Sequence, residues 1–149
     1  MCGIAGIVRK QSKPQDMEKV FSMLQAMPYR GPDDQGSHSD VHASLGHLRL
    51  SIIDLSADGR QPMKNKRGNL FLIFNGEIYN YIEIRRELET RGRTFRSRTD
   101  TEVILQAYEE WGENAVARFN GMWAFAIWDS EAKKLFCSRD RFGIKPLFY

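Results

Sequence analysis

The sequence predicts a layered α+β domain with stacked sheets, and three observations lead there. Apolar strand-like runs stand before, between and after stretches of helical periodicity, from Ile4–Val8 at the start to Lys134–Ser138 near the end. No repeat, low-complexity tract or Pro/Ser-rich linker divides the 149 residues, so 1–149 reads as one unit. A hydrophobic content of 42% is enough for a core that buries roughly two-thirds of the unfolded surface of such a chain.

Ile4 to Val8, with glycines at 3 and 6, suits a buried strand closely approached by other backbone. Asp16 to Met27 spaces Met17, Val20, Phe21, Leu24 and Met27 as the buried face of a surface helix. The turn formers of YRGPDDQG predict an ordered loop from Tyr29 to Gly36, and Val41 to Leu50 follows as a strand. Leu70 to Phe74 is a short apolar strand that stops at the turn signal Asn75-Gly76. A helix follows, with Asn80 and Glu83 as a capping pair, Tyr81, Ile84 and Leu88 on one face, and Gly92 at its end. Thr99 and Glu102 form a second capping box, opening a helix in which Ile104, Ala107, Tyr108 and Trp111 recur on one side. Asp100 falls in its first turn. Met122–Trp128 and Lys134–Ser138, joined by DSEAK, predict a hairpin. Pro146 to Tyr149 reads as a last strand that runs into the chain end, so the domain is expected to be incomplete there.

The net charge of +3, from 22 basic and 19 acidic residues interspersed along the chain, gives no footprint for nucleic acid. No apolar run approaches the ~20 residues of a membrane span, and no secretory pattern opens the chain, so a cytoplasmic protein is expected. Cys2 and Cys137 make a poor disulfide framework and read as free thiols. His38, His42 and His47 show no metal-ligand spacing with cysteine or acidic partners.

Cys2 has a chemical opportunity that Cys137 lacks. A thiol titrates at about 8.5, so only a small fraction is thiolate at neutral pH unless a base stands nearby. Removal of Met1 would free an α-amine, with a reference value of about 7.7–8.0, on the same residue as the sulfur. One group could then take the thiol proton and later hand it to a leaving amine. The competing reading makes Cys2 a small buried hydrophobe at a strand start, and position by itself favours that reading.

MCGIAG, YRGPDDQG, LGHLRLSIIDLS, QPM, FNGEIYNY, SRTDTEVIL, FNGMWAFAIWD and RDRFGIKPLFY follow one another through the whole chain. Together they resemble the N-terminal glutaminase domain of glutamine-hydrolysing asparagine synthetase, a class II glutamine amidotransferase. The resemblance implies a four-layer αββα N-terminal-nucleophile hydrolase sandwich of two antiparallel sheets. It makes Cys2 the nucleophile, with Asn75 and Gly76 as the oxyanion hole and Arg49 as the grip on the glutamine α-carboxylate. Asp100 takes the α-ammonium, Leu50, Ser51, Ile52, Ile53 and Glu77 complete the pocket, and Arg30 orders the loop beside it.

No cofactor or metal is implied for this domain. ATP and Mg²⁺ belong to a synthetase domain that would follow and convert aspartate to asparagine. Glutamine and that domain are the implied partners, with a homodimer as an open possibility of assembly. Two other readings stay open at this level: a non-catalytic scaffold of the same fold, and the amidotransferase half of an enzyme with another ammonia acceptor.

Overall fold

Two antiparallel sheets carry the fold in the computed structural model, which describes residues 1–11 and 13–149. The first holds β1 (Gly3–Val8), β2 (Asp34–Ser39) and β3 (Ala43–Arg49) in the order β1-β3-β2. The second holds β4 (Met63–Lys64), β5 (Leu70–Ile78), β6 (Gly121–Asp129) and β7 (Lys134–Arg139) in sequence order. Helix α1 (Gln15–Gln25) covers the first sheet, while α2 (Tyr81–Thr90) and α3 (Asp100–Trp111) lie on the far side of the second. The layers are therefore helix, sheet, sheet, helix.

Strand alternation explains this sandwich, because β5 and β6 are apolar on both faces. Leu70, Leu72, Phe74 and Ile78 of β5 face the helices with Trp123, Phe125 and Ile127 of β6. The intervening Phe71, Ile73, Ala126 and Trp128 face the first sheet, where Ile4, Val8, Ala43 and Leu45 meet them. Outside the first sheet, Val20 and Leu24 of α1 press on Gly46, where an added Cβ would lie 2.6 Å from Val20. Only a residue without a side chain lets α1 approach so closely.

Several local expectations change. Asn75-Gly76 is not a turn: β5 continues through it to Ile78, pairing Asn75 with Ala124 and Gly76 with Trp123. The glycine there serves close packing, since a Cβ would lie 2.2 Å from the Met122 carbonyl oxygen. The loop expected over Tyr29–Gly36 is shorter, because β2 begins at Asp34 and recruits the polar run DQGSHS through backbone pairing with β3. Phe21 of α1 lies on the exposed side, leaving Val20 and Leu24 as the buried pair. Thr99 does cap α3 by accepting from the Glu102 N–H at 3.1 Å, but the Glu102 carboxylate turns to the backbone N–H groups of Arg96 and Ser97. Asn80 caps nothing in α2. Its side chain instead accepts from the Asn120 N–H and donates to the Arg118 carbonyl, tying the helix to the chain before β6. Pro146 to Tyr149 forms no strand, and Phe148 and Tyr149 are exposed.

Candidate active site

Odd and even positions decide which side chains enter the gap between the sheets. Asn75 and Glu77 share the face of Phe71 and Ile73, and Arg49 shares that of Ala43 and Leu45. Cys2 precedes β1 by one residue and keeps the alternation of Ile4 and Val8. All these positions fall at one end of the sandwich, where a cavity of about 120 Å³ opens. Its wall includes Cys2, Arg49, Leu50, Ser51, Ile52, Ile53, Asn75, Gly76, Glu77 and Asp100, so every predicted site residue reaches the same space.

The Cys2 sulfur lies 3.5 Å from the Leu50 N–H and 3.8 Å from the Leu50 carbonyl oxygen, fixed at the exit of β3. The Cys2 carbonyl accepts from Arg30 Nε at 3.1 Å. Asn75, with its amide nitrogen turned to the same carbonyl, donates to it at 3.2 Å, and its Oδ1 accepts from Arg30 Nη2 at 3.1 Å. An amide nitrogen carries a second N–H, which stays available to a ligand. Arg30 thus ties Cys2, at the start of β1, to Asn75 on the other sheet.

Arg49 is nearly buried and spends two of its donors on the loop after β3, bonding the carbonyl oxygens of Asp54 and Ser56. A guanidinium has five N–H groups, so donors remain for a carboxylate. That loop is shaped from outside as well. Asp33 accepts from the Ser51 N–H at 2.7 Å, and Asp54 accepts from the N–H groups of Arg98 and Ser56, which hold its carboxyl down to about 2. Gly59 packs under Arg49, where a Cβ would meet Nη2 at 2.1 Å.

Asp100, only 4% exposed, receives the Ile78 N–H at 3.0 Å at the start of α3. Burial pushes its carboxyl up to about 6, against the lowering effect of the Ile78 and Thr101 N–H groups and with the nearby Glu77 charge adding to the rise. Among the described residues it makes no ion pair. A buried anion that lacks an ion-pair partner and faces a cavity has the chemistry to accept a cationic ligand group.

Behind the site, His47 Nε2 donates to the Phe74 carbonyl at 3.1 Å, linking the sheets one residue before Asn75. Burial drives His47 down to about 4, so the ring is neutral at pH 7. Gln61 reinforces the same strand, accepting from the Phe74 N–H at 2.7 Å while donating to Thr101. Sequence reasoning gave no role to Gln61, Met122 or Lys145, which also line the cavity. The available signal for Lys145 was a lysine set in the apolar run of FGIKPLFY. Among the described residues no group of three His, Cys, Asp or Glu side chains could hold a metal ion, and no helix is long and apolar enough to cross a membrane.

The glutamine amidotransferase domain family matches residues 1–149. The chain belongs to that family. This amidotransferase domain is 45% identical over 152 residues to asparagine synthetase (glutamine-hydrolyzing) 1 of Bacillus subtilis (strain 168), covering 100% of this chain and 24% of that protein. Asparagine synthetase (glutamine-hydrolyzing) 3 of the same organism is 43% identical over 152 residues, with 100% and 25% covered. The chain therefore spans about a quarter of the length of these curated relatives. Its fold matches the solved glutamine phosphoribosylpyrophosphate amidotransferase from B. subtilis, complexed with ADP and GMP, with a TM-score of 0.79 at 18% identity, covering 98% of this chain and 38% of the other. The amidotransferase domain thus has the two-sheet N-terminal-nucleophile fold that the resemblance implied.

Proposed function

We propose that this domain, once Met1 is removed, hydrolyses the side-chain amide of free glutamine at Cys2 and releases ammonia. The α-amine takes the thiol proton, and the thiolate attacks the γ-carbonyl carbon. Negative charge then collects on the carbonyl oxygen, to which the second N–H of Asn75 and the backbone N–H of Gly76 are the donors. The protonated α-amine gives its proton to the departing nitrogen, ammonia leaves, and a γ-glutamyl thioester remains. Water attacks the thioester, its proton passing through the same amine to the sulfur, and glutamate is released. Arg49 pairs with the substrate α-carboxylate and Asp100 with its α-ammonium, while the backbone of Leu50 to Ile53 and Glu77 shape the pocket between them.

The observation that carries this reading is the charge layout of one cavity. A buried carboxylate that makes no ion pair among the described residues and an arginine with spare donors face the space that also holds Cys2. That layout fits a free amino acid, whose two charged ends both need partners once desolvated. In the whole protein the ammonia would pass to an ATP- and Mg²⁺-dependent synthetase domain that amidates aspartate, a reading supported by similarity to relatives named as glutamine-hydrolyzing asparagine synthetases.

The test combines mass analysis of the N-terminus with an assay of glutamate release. Chains that start at Cys2 should release glutamate, and Cys2→Ala should fall to background. Undiminished release by Cys2→Ala would overturn the reading.

A further inference from the structure

Among the described residues Lys145 is the one cationic side chain of the cavity wall to which neither the sequence motifs nor the proposed chemistry assigns a task. It is only 6% exposed, yet among the described residues its ammonium makes no ion pair. Among the described residues its one polar partner is the thioether of Met1, 3.0 Å from Nζ. A buried ammonium against a sulfur is poorly compensated, since a thioether is a weak acceptor and water is displaced.

The backbone that delivers this lysine is tightly built. Asp140 accepts from the N–H groups of Trp123, Phe142, Ile144 and Lys145, folding residues 140–145 into a turn against the end of β6. Arg139 closes the turn by donating from Nε to the Lys145 carbonyl at 2.7 Å. So many bonds fix the Lys145 backbone independently of Met1. Removing Met1 would take away the ammonium's partner without releasing the chain that carries it.

We infer that Lys145 is a positioning residue of the amide-hydrolysing site: its ammonium, carried on a fixed backbone and adjoining the place vacated by Met1, keeps the newly exposed α-amine of Cys2 unprotonated. This rests on the proposed role of Cys2. A cation held at short range in a partly desolvated cavity disfavours a second cation beside it. An α-amine must be neutral to take the thiol proton, so the lysine acts on the base and not on the substrate. Other charges face the same space. Arg49 works in the same direction as Lys145 but is anchored to the Asp54 and Ser56 carbonyls, and Arg30 is spent on the Cys2 carbonyl and on Asn75. Asp100, Glu77 and Asp54 oppose it, and without Lys145 the three carboxylates would favour a protonated amine.

The test is competitive labelling of the α-amine with acetic anhydride across pH, read by mass spectrometry on chains that start at Cys2. It needs no turnover, so it separates this inference from the reading of Cys2 as nucleophile. In Lys145→Met the labelling midpoint should move up by about one pH unit, with several-fold slower labelling near neutrality, and Lys145→Arg should restore the parent profile. Lys145→Gln supplies a second neutral variant if the methionine variant folds poorly. Where glutamate release is measurable, the acid limb of its kcat/KM profile should shift by the same amount. An unchanged labelling midpoint in a folded neutral variant would overturn the inference and leave the role of Cys2 intact, whereas release by Cys2→Ala would remove the foundation of both.

Discussion

The two interior layers of this domain are built on different terms. Between the second sheet and α2 and α3 the packing is continuous and aromatic, with Phe119, Trp123 and Phe125 meeting edge to face and Phe136 against Phe125. Between the two sheets the apolar cluster is smaller, and Trp128 is its one large buried ring. Polar side chains occupy the rest of that gap: His47, Gln61, Asn75 and Arg49 are all buried there or at its open end. The helix-side layer supplies most of the apolar burial that stabilises the fold. The inter-sheet layer gives up apolar contact to hold donors and charges in fixed places, a common cost of a functional site.

The contrast is tested first by Phe125→Ala. Phe125 is 1% exposed in the helix-side layer, and truncation should cost about 3–5 kcal/mol in denaturant unfolding while leaving turnover per folded molecule unchanged. Parallel loss of stability and of per-molecule turnover would break the division of labour. Asn75→Ala should do the reverse. It removes the donor to the Cys2 carbonyl and the N–H offered to the reacting oxygen, and kcat should fall by the equivalent of about 2.7–4 kcal/mol in barrier.

Asp100→Asn sharpens the comparison with a smaller effect of opposite sign on the two properties. Unfolded, this carboxyl releases its proton near 3.8, and burial raises the folded value to about 6. Between those values the folded state holds the extra proton, so stability falls as pH rises, and above about pH 6 the cost is complete. The asparagine variant should therefore be more stable at pH 7, by on the order of 2 kcal/mol, and lose that advantage below about pH 4. Its KM for glutamine should rise sharply. In the parent, KM should climb as pH drops below about 6, where the seat for the α-ammonium becomes neutral. A pH-independent KM across that range would remove Asp100 from the binding role.

Element types were largely legible because the strongest periodic signals, in β5, α3 and the β6–β7 hairpin, coincide with the buried layers. What the sequence hid were effects of pairing. Asn-Gly is a turn signal only where no partner strand passes, and β6 passes both residues. The polar run of β2 becomes a strand because β3 offers its edge, although its own residues have little β propensity. The candidate site was named through a resemblance linking residues far apart in the chain, and the structure gathers Cys2, Arg49 to Ile53, Asn75 to Glu77 and Asp100 at one cavity. Lys145 and Gln61 escaped because a single lysine or glutamine carries no pattern, and only the surrounding burial makes either unusual.

Arg30 and His47 clamp the two sheets together beside the site. Cys2 and Arg49 ride on one sheet, Asn75 and Glu77 on the other, and the thickness of Leu45, Ile73 and Trp128 sets how far apart those two platforms stand. The filling between the sheets therefore works as a spacer gauge for the mouth: a methylene added or removed there, remote from any ligand, would retune the aperture in which the amide must fit.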